Sequence, residues 1–241
     1  MPTLRILGLI ALATIGMASM RPLHAATDGP APATSTMAKP APFFDARRQS
    51  PIEGNAHDGE GEATVCAACH GLKGIAVAPN FPNLAGQSAT YLYLQLKQFK
   101  GGQRSDAIMS AQAASLSDTD MRNLASYFAS LPPKPPGAAD TQSAGALLYL
   151  DGDPARGIPP CKGCHGGDAM GPRVEANGKP QPPWASFPRL RGQSAVYVIK
   201  ALNDFRAGTR SDSSNARIMH GIGGTLSDDD IQHLSAYLSS R

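Results

Sequence analysis

The chain has 241 residues, enough for two small domains that each bury a core, and its 41% hydrophobic and 17% charged content suits a soluble protein. Two of the positives behind its formal charge of +3, Arg5 and Arg21, fall in the first 26 positions, and the remainder sets 20 basic residues against 19 acidic ones. That balance gives no support for nucleic-acid binding, while 25 Gly and 21 Pro suggest long loops around compact helices rather than a large sheet.

Residues 1–26 read as a secretory signal. Arg5 supplies a positive charge, residues 6–18 are apolar or small, and Ala25 and Ala26 close the segment. The apolar run is short of the roughly 20 residues that a spanning helix needs. Leu23 or His24 stands where a second small residue usually precedes cleavage, so an uncleaved N-terminal anchor is the alternative. Residues 27–50, rich in Ala, Pro, Ser and Thr, are expected to be disordered.

From residue 51 onward the chain contains itself twice. Cys66-Ala67-Ala68-Cys69-His70-Gly71 returns as Cys161-Lys162-Gly163-Cys164-His165-Gly166. Pro82-Asn83-Leu84-Ala85-Gly86-Gln87-Ser88-Ala89-Thr90-Tyr91 returns as Pro188-Arg189-Leu190-Arg191-Gly192-Gln193-Ser194-Ala195-Val196-Tyr197. Arg104-Ser105-Asp106 recurs at Arg210, Ile108-Met109 at Ile218-Met219, and Leu116-Ser117-Asp118 at Leu226. The offset grows from 95 to 106 to 110, so the second copy holds 11 extra residues within 169–184 and 4 within 213–217. A period near 100 is domain duplication, not a solenoid. The predicted domains are residues 51–131 and 140–241, joined by a stiff Pro-rich linker at 132–139.

Helix signals agree between copies. Ser88 opens a middle helix running to Lys100, with Tyr91, Leu92, Leu96 and Phe99 on one stripe and Gly101-Gly102 stopping it; its twin runs from Ser194 to Arg206. Ser117 with Asp120, and Ser227 with Asp230, read as capping boxes for a closing helix. No stretch alternates as a strand would, so each copy is expected to be all-helical.

Cys-x-x-Cys-His is the attachment pattern of c-type haem. On a helical turn the two thiols can add to the two vinyl groups of one porphyrin, and the adjacent His then addresses the iron. A redox dithiol does not require the His, and zinc would want a matching cluster, which His24, His57, His220 and His233 do not form. Cys66, Cys69 and His70, then Cys161, Cys164 and His165, are therefore the predicted attachment sites of two haem c groups. The proximal His needs a partner for its other ring nitrogen, and the Pro82 and Pro188 carbonyls are candidates.

Met is a common ligand for the other face of the iron. Met109 and Met219 superpose in the repeat, each in an Ile-Met step. Met121 falls on the apolar stripe of the closing helix, as core packing explains, and Met170 follows His165 too closely to reach around the ring. Met109 and Met219 are the expected iron ligands beside His70 and His165, with His220 the rival in the second copy. Arg104 and Arg210 either pair with haem propionates or are solvated helix-end charges.

Each half resembles a class I cytochrome c, and two halves carrying Gly-Gln-Ser-Ala-x-Tyr resemble the dihaem cytochrome c4 family over roughly residues 54–241. The resemblance implies an all-α fold of two tandem class I cytochrome c domains, each a small helical bundle around one covalently bound haem. It also implies His/Met ligation at both irons, domains facing across their propionate edges, a periplasmic location and electron delivery to a terminal oxidase. The expected partners are a redox donor and acceptor, such as a cytochrome bc1-type complex and that oxidase. Contact with a membrane would come only through those partners or an uncleaved N-terminus. The Pro-rich extension and the residues 169–184 insertion depart from the pattern. An iron with both axial positions filled by protein carries electrons but takes no reactant, so an electron carrier rather than an enzyme is expected. The alternatives are the cytochrome subunit of a dehydrogenase complex, such as a flavocytochrome sulfide dehydrogenase, and a dihaem enzyme with an open iron.

Overall fold

A computed structural model describes residues 43–172 and 183–241. The predicted signal segment, most of the extension and the middle of the 169–184 insertion lie outside the described residues. Within them the architecture is helical, with only two isolated bridges and no strand. None of these helices is long and apolar enough to cross a membrane.

The first half contains α1 (Ala56–Glu62), α2 (Ala67–His70), α3 (Ala89–Gly101), α4 (Met109–Ala114) and α5 (Asp118–Ser130). The second contains α6 (Ala144–Asp151), α7 (Lys162–His165), α8 (Ala195–Arg206), α9 (Ser214–Gly223) and α10 (Asp228–Ser240). Start signals act as their chemistry requires. Ser88 and Ser194 each accept from the backbone N–H three residues on, and both capping boxes are closed in both directions. Gly102 ends α3 in the left-handed region, at φ 77°, where a side chain would be strained.

Two separate cores result. Leu92, Leu94, Met121, Leu124 and Phe128 join α3 to α5, while Tyr149, Val198, Ile231, Leu234 and Leu238 join α6 and α8 to α10. The first helix of each half crosses the closing helix at a glycine. A Cβ on Gly59 would lie 2.2 Å from the Asn123 carbonyl oxygen, and one on Gly145 would lie 2.0 Å from that of His233. Only a residue without a side chain allows these backbones so close.

One expectation needs correcting. The last part of the segment predicted to be disordered, residues 43–50, is folded: Phe44 forms a parallel bridge with Ser213, and Ala46 is buried within the first core. Its Pro-rich stretch ends at Pro42, and Phe43, Phe44 and Ala46 then supply apolar surface worth ordering.

Candidate functional site

Each Cys-x-x-Cys-His occupies one helical turn. Cys66 caps α2 and Cys161 caps α7; the His70 N–H donates to the Cys66 carbonyl and the His165 N–H to the Cys161 carbonyl, both at 3.0 Å. The thiols, three residues apart, therefore lie on one side of the turn. All four are free and half-buried, and burial pushes Cys66 up and Cys161 up to about 11. Among the described residues no grouping of three or more His, Cys, Asp or Glu could hold a metal ion, which removes the zinc alternative there.

Both histidines are buried, and both are oriented by the predicted prolines. His70 Nδ1 lies 2.9 Å from the Pro82 carbonyl oxygen, and His165 Nδ1 lies 3.0 Å from that of Pro188. A carbonyl only accepts, so Nδ1 carries the proton and Nε2 keeps a lone pair for a metal. Burial lowers the basicity of both imidazoles, against the raising effect of the carbonyl bond.

Met109 begins α4 and Met219 lies within α9; both are half-buried. Met121 is 2% exposed in the first core, as its helical spacing predicts. Met170 sits five residues beyond the end of the second motif helix, with its N–H donating to Asp168. His220 is exposed, with Nδ1 2.6 Å from the Phe205 carbonyl oxygen and its ring against Gly208.

The repeated Gly-Gln-Ser-Ala-x-Tyr proves to be the seam between the halves. Ser88 Oγ donates to the Ala185 carbonyl, and Ser194 Oγ to that of Pro79, its counterpart 106 positions earlier. Arg104 donates to the Tyr197 hydroxyl across the seam, and Arg210 to the Tyr91 hydroxyl, both at 3.1 Å. The bonds pair each half with the other under one pseudo-two-fold relation. Sequence reasoning used this segment as a family mark and missed its role. The available signal was that polar residues repeat identically outside either apolar stripe.

The same seam holds unbalanced positive charge. Gln95 Oε1 accepts from both arginines, at 2.7 Å from Arg104 and 2.6 Å from Arg210, so two guanidinium groups converge on a neutral oxygen. Arg210 is 7% exposed, and its Nε is buried without a hydrogen-bond partner, as is that of Arg191. Burial would raise the Tyr197 phenol, but Arg104 and Arg210 lower it on balance. Solvated helix-end charges do not describe these arginines. Paired thiols on one turn and an imidazole with a free Nε2 fit a haem in each half, and the orphaned donors of Arg191 and Arg210 fit anionic propionates near the seam.

The Cytochrome c family matches residues 60–132 and 144–241. The chain is 42% identical over 196 residues to cytochrome c4 of Azotobacter vinelandii, covering 77% of this chain and 88% of that protein. It is 38% identical over 183 residues to a thiosulfate dehydrogenase electron acceptor of Stutzerimonas stutzeri, covering 74% and 79%. The crystal structure of reduced recombinant cytochrome c4 from Pseudomonas stutzeri matches with a TM-score of 0.67 at 38% identity, over 78% of this chain and 98% of that one.

Proposed function

The chain belongs to the cytochrome c4 family within the cytochromes c, and from that premise we propose that it is an exported carrier that passes electrons singly between redox proteins. It carries two haem c groups, one in each half. Bound haem supplies an iron that alternates between the ferrous and ferric states. Cys66 and Cys69, and Cys161 and Cys164, would tether the two groups by thioether bonds. His70 with Met109, and His165 with Met219, would hold the two irons through imidazole nitrogen and thioether sulfur.

The observation that carries this reading is the buried imidazole of each half, held by a proline carbonyl through Nδ1 and free at Nε2. A rigidly held neutral donor suits an iron whose coordination changes little between oxidation states. The repeat supplies a methionine at an equivalent position to accompany each imidazole, and an iron held by both would carry electrons without binding a reactant. The leader at residues 1–26 supports a periplasmic location, with electrons arriving from a bc1-type complex and leaving to a terminal oxidase.

A second reading has a specific observation behind it. The 38% identity to a thiosulfate dehydrogenase electron acceptor supports service to a dehydrogenase, as a free acceptor or as a bound subunit. A spectroscopic redox titration of the purified protein tests the first reading: it should give two haems, both low-spin. Stoichiometric carbon monoxide binding to one reduced haem would sink the carrier assignment. Reduction by thiosulfate only when a thiosulfate dehydrogenase is added would favour the second reading.

A further inference from the structure

The two methionine helices are not equivalent, and the difference has a partner elsewhere in the chain. Residues 213–217 stand where the first copy has Ala107 alone, so four extra residues precede Met219. They add about one turn of helix at 3.6 residues per turn. Met109 is accordingly the first residue of α4, whereas Met219 is the sixth of α9.

The added turn is where residues 43–46 dock. The Phe44 N–H donates to the Asp212 carbonyl at 2.9 Å, and the Ser214 N–H donates to the Phe44 carbonyl at 3.0 Å. The Ala46 N–H donates to Ser214 Oγ at 3.0 Å, in a buried bond. The Arg217 guanidinium lies 4.3 Å over the Phe43 ring. Ser214 is the first residue of α9, and its N–H has no acceptor within the helix. The Phe44 carbonyl supplies that acceptor, while Ser213 Oγ caps Ala216. Ala46 is anchored at 1% exposure in the first core, so the segment ties the start of the second half's methionine helix to the body of the first half. The start of α4 is capped locally instead: Asp106 Oδ1 accepts from the Ile108 and Met109 N–H groups, both at 3.0 Å, and no distant segment takes part.

We infer that residues 43–46 form a strap that positions α9 and so holds Met219 on the second iron, while Met109 depends on no such element. This rests on Met219 being a haem ligand. Loosening the strap should then release methionine at one haem only.

The test uses the full holoprotein in its oxidised form, with added cyanide competing for the iron. Phe44→Pro removes the donor to Asp212, and Ser214→Ala removes the acceptor for Ala46 while leaving Ser213 as cap. Each should speed cyanide binding at one haem about tenfold, equivalent to about 1.4 kcal/mol. The other haem should keep its wild-type rate, and Ser214→Thr should restore the first. Met219→Ala is the reference and should open that same haem outright. If Met219→Ala opens it but both strap variants bind cyanide at wild-type rates, the strap has no positioning role. Acceleration at both haems alike would also overturn the proposal, showing a general brace between halves. No change in Met219→Ala would overturn the ligand assignment and the strap together.

Discussion

Gln87 and Gln193 grip each other's halves in the same way. Gln87 Nε2 donates to the Arg189 carbonyl and Gln87 Oε1 accepts the Arg189 N–H, both at 2.8 Å. Gln193 Nε2 donates to the Asn83 carbonyl at 3.0 Å and its Oε1 accepts the Asn83 N–H at 2.7 Å. Asn83 and Arg189 are themselves repeat partners, each following the proline whose carbonyl orients a haem-motif histidine. The seam and the two histidine supports are therefore continuous backbone.

Replacing either glutamine by Ala leaves a part-buried N–H and carbonyl unpaired, which costs about 1–3 kcal/mol. Gln87→Ala and Gln193→Ala should each lower the urea midpoint. Gln87→Ala with Gln193→Ala should also split the single transition into two, as the halves lose their coupling. An unchanged midpoint in both single variants would show that the seam does not depend on these amides.

Met109→Ala and Met219→Ala should each remove half of the long-wavelength absorption that methionine–iron ligation gives, and each should lower the potential of one haem. The double variant should retain none of that band. Survival of the band in the double variant would turn attention to Met170, and an undiminished band in Met219→Ala alone to Met170 or His220.

Much of this was legible because it is local. The capping box of Ser117 and Asp120 needs four consecutive residues, and Cys66 to His70 needs five, so short spacing rules carry them. Met109 and Met219 stand out as candidates only through duplication, which compares one copy with the other where a lone methionine says nothing. The docking of Phe44 on Ser213 obeys no spacing rule, because 169 positions separate them and only folding brings them together. Arg104 and Arg210 were ambiguous for the same reason: their partners Tyr197 and Tyr91 lie in the other copy.

Two glycines of α1 separate packing from propensity. Gly61 has open space around it, so Gly61→Ala should stabilise by up to about 1 kcal/mol through helix propensity. Gly59→Ala gains the same propensity but drives a methyl into the Asn123 carbonyl, and overpacking of that kind costs roughly 1–3 kcal/mol. The net sign should reverse between two positions two residues apart on the same helix. Thermal unfolding of the two variants decides it, and equal shifts would show that α1 moves away from α5 without cost.

Asp230 makes the stability of the second half depend on pH. Its carboxylate accepts from Arg156 at 2.7 and 3.0 Å and from the Ser227 N–H and hydroxyl at 2.8 Å, while its residue is only 7% exposed. The Arg156 bonds, foremost, hold it well below the usual carboxylate range despite opposing desolvation. A carboxyl with a depressed folded pKa contributes stability that is complete above its unfolded pKa of about 3.9 and is lost as pH falls through the folded value. Asp230→Asn should therefore cost about 1–2 kcal/mol at pH 7, the lower end of charged hydrogen bonding because Arg156 is partly exposed. The gap between wild type and variant should narrow below about pH 4. Asp120, the repeat partner, is half-buried and bonded through Ser117, with no arginine fork, so Asp120→Asn should cost less at every pH. Unfolding followed in parallel from pH 7 to pH 3 measures both. A constant Asp230→Asn penalty across that range would mean the packing of the amide, and not the charge on Asp230, supplies the stability.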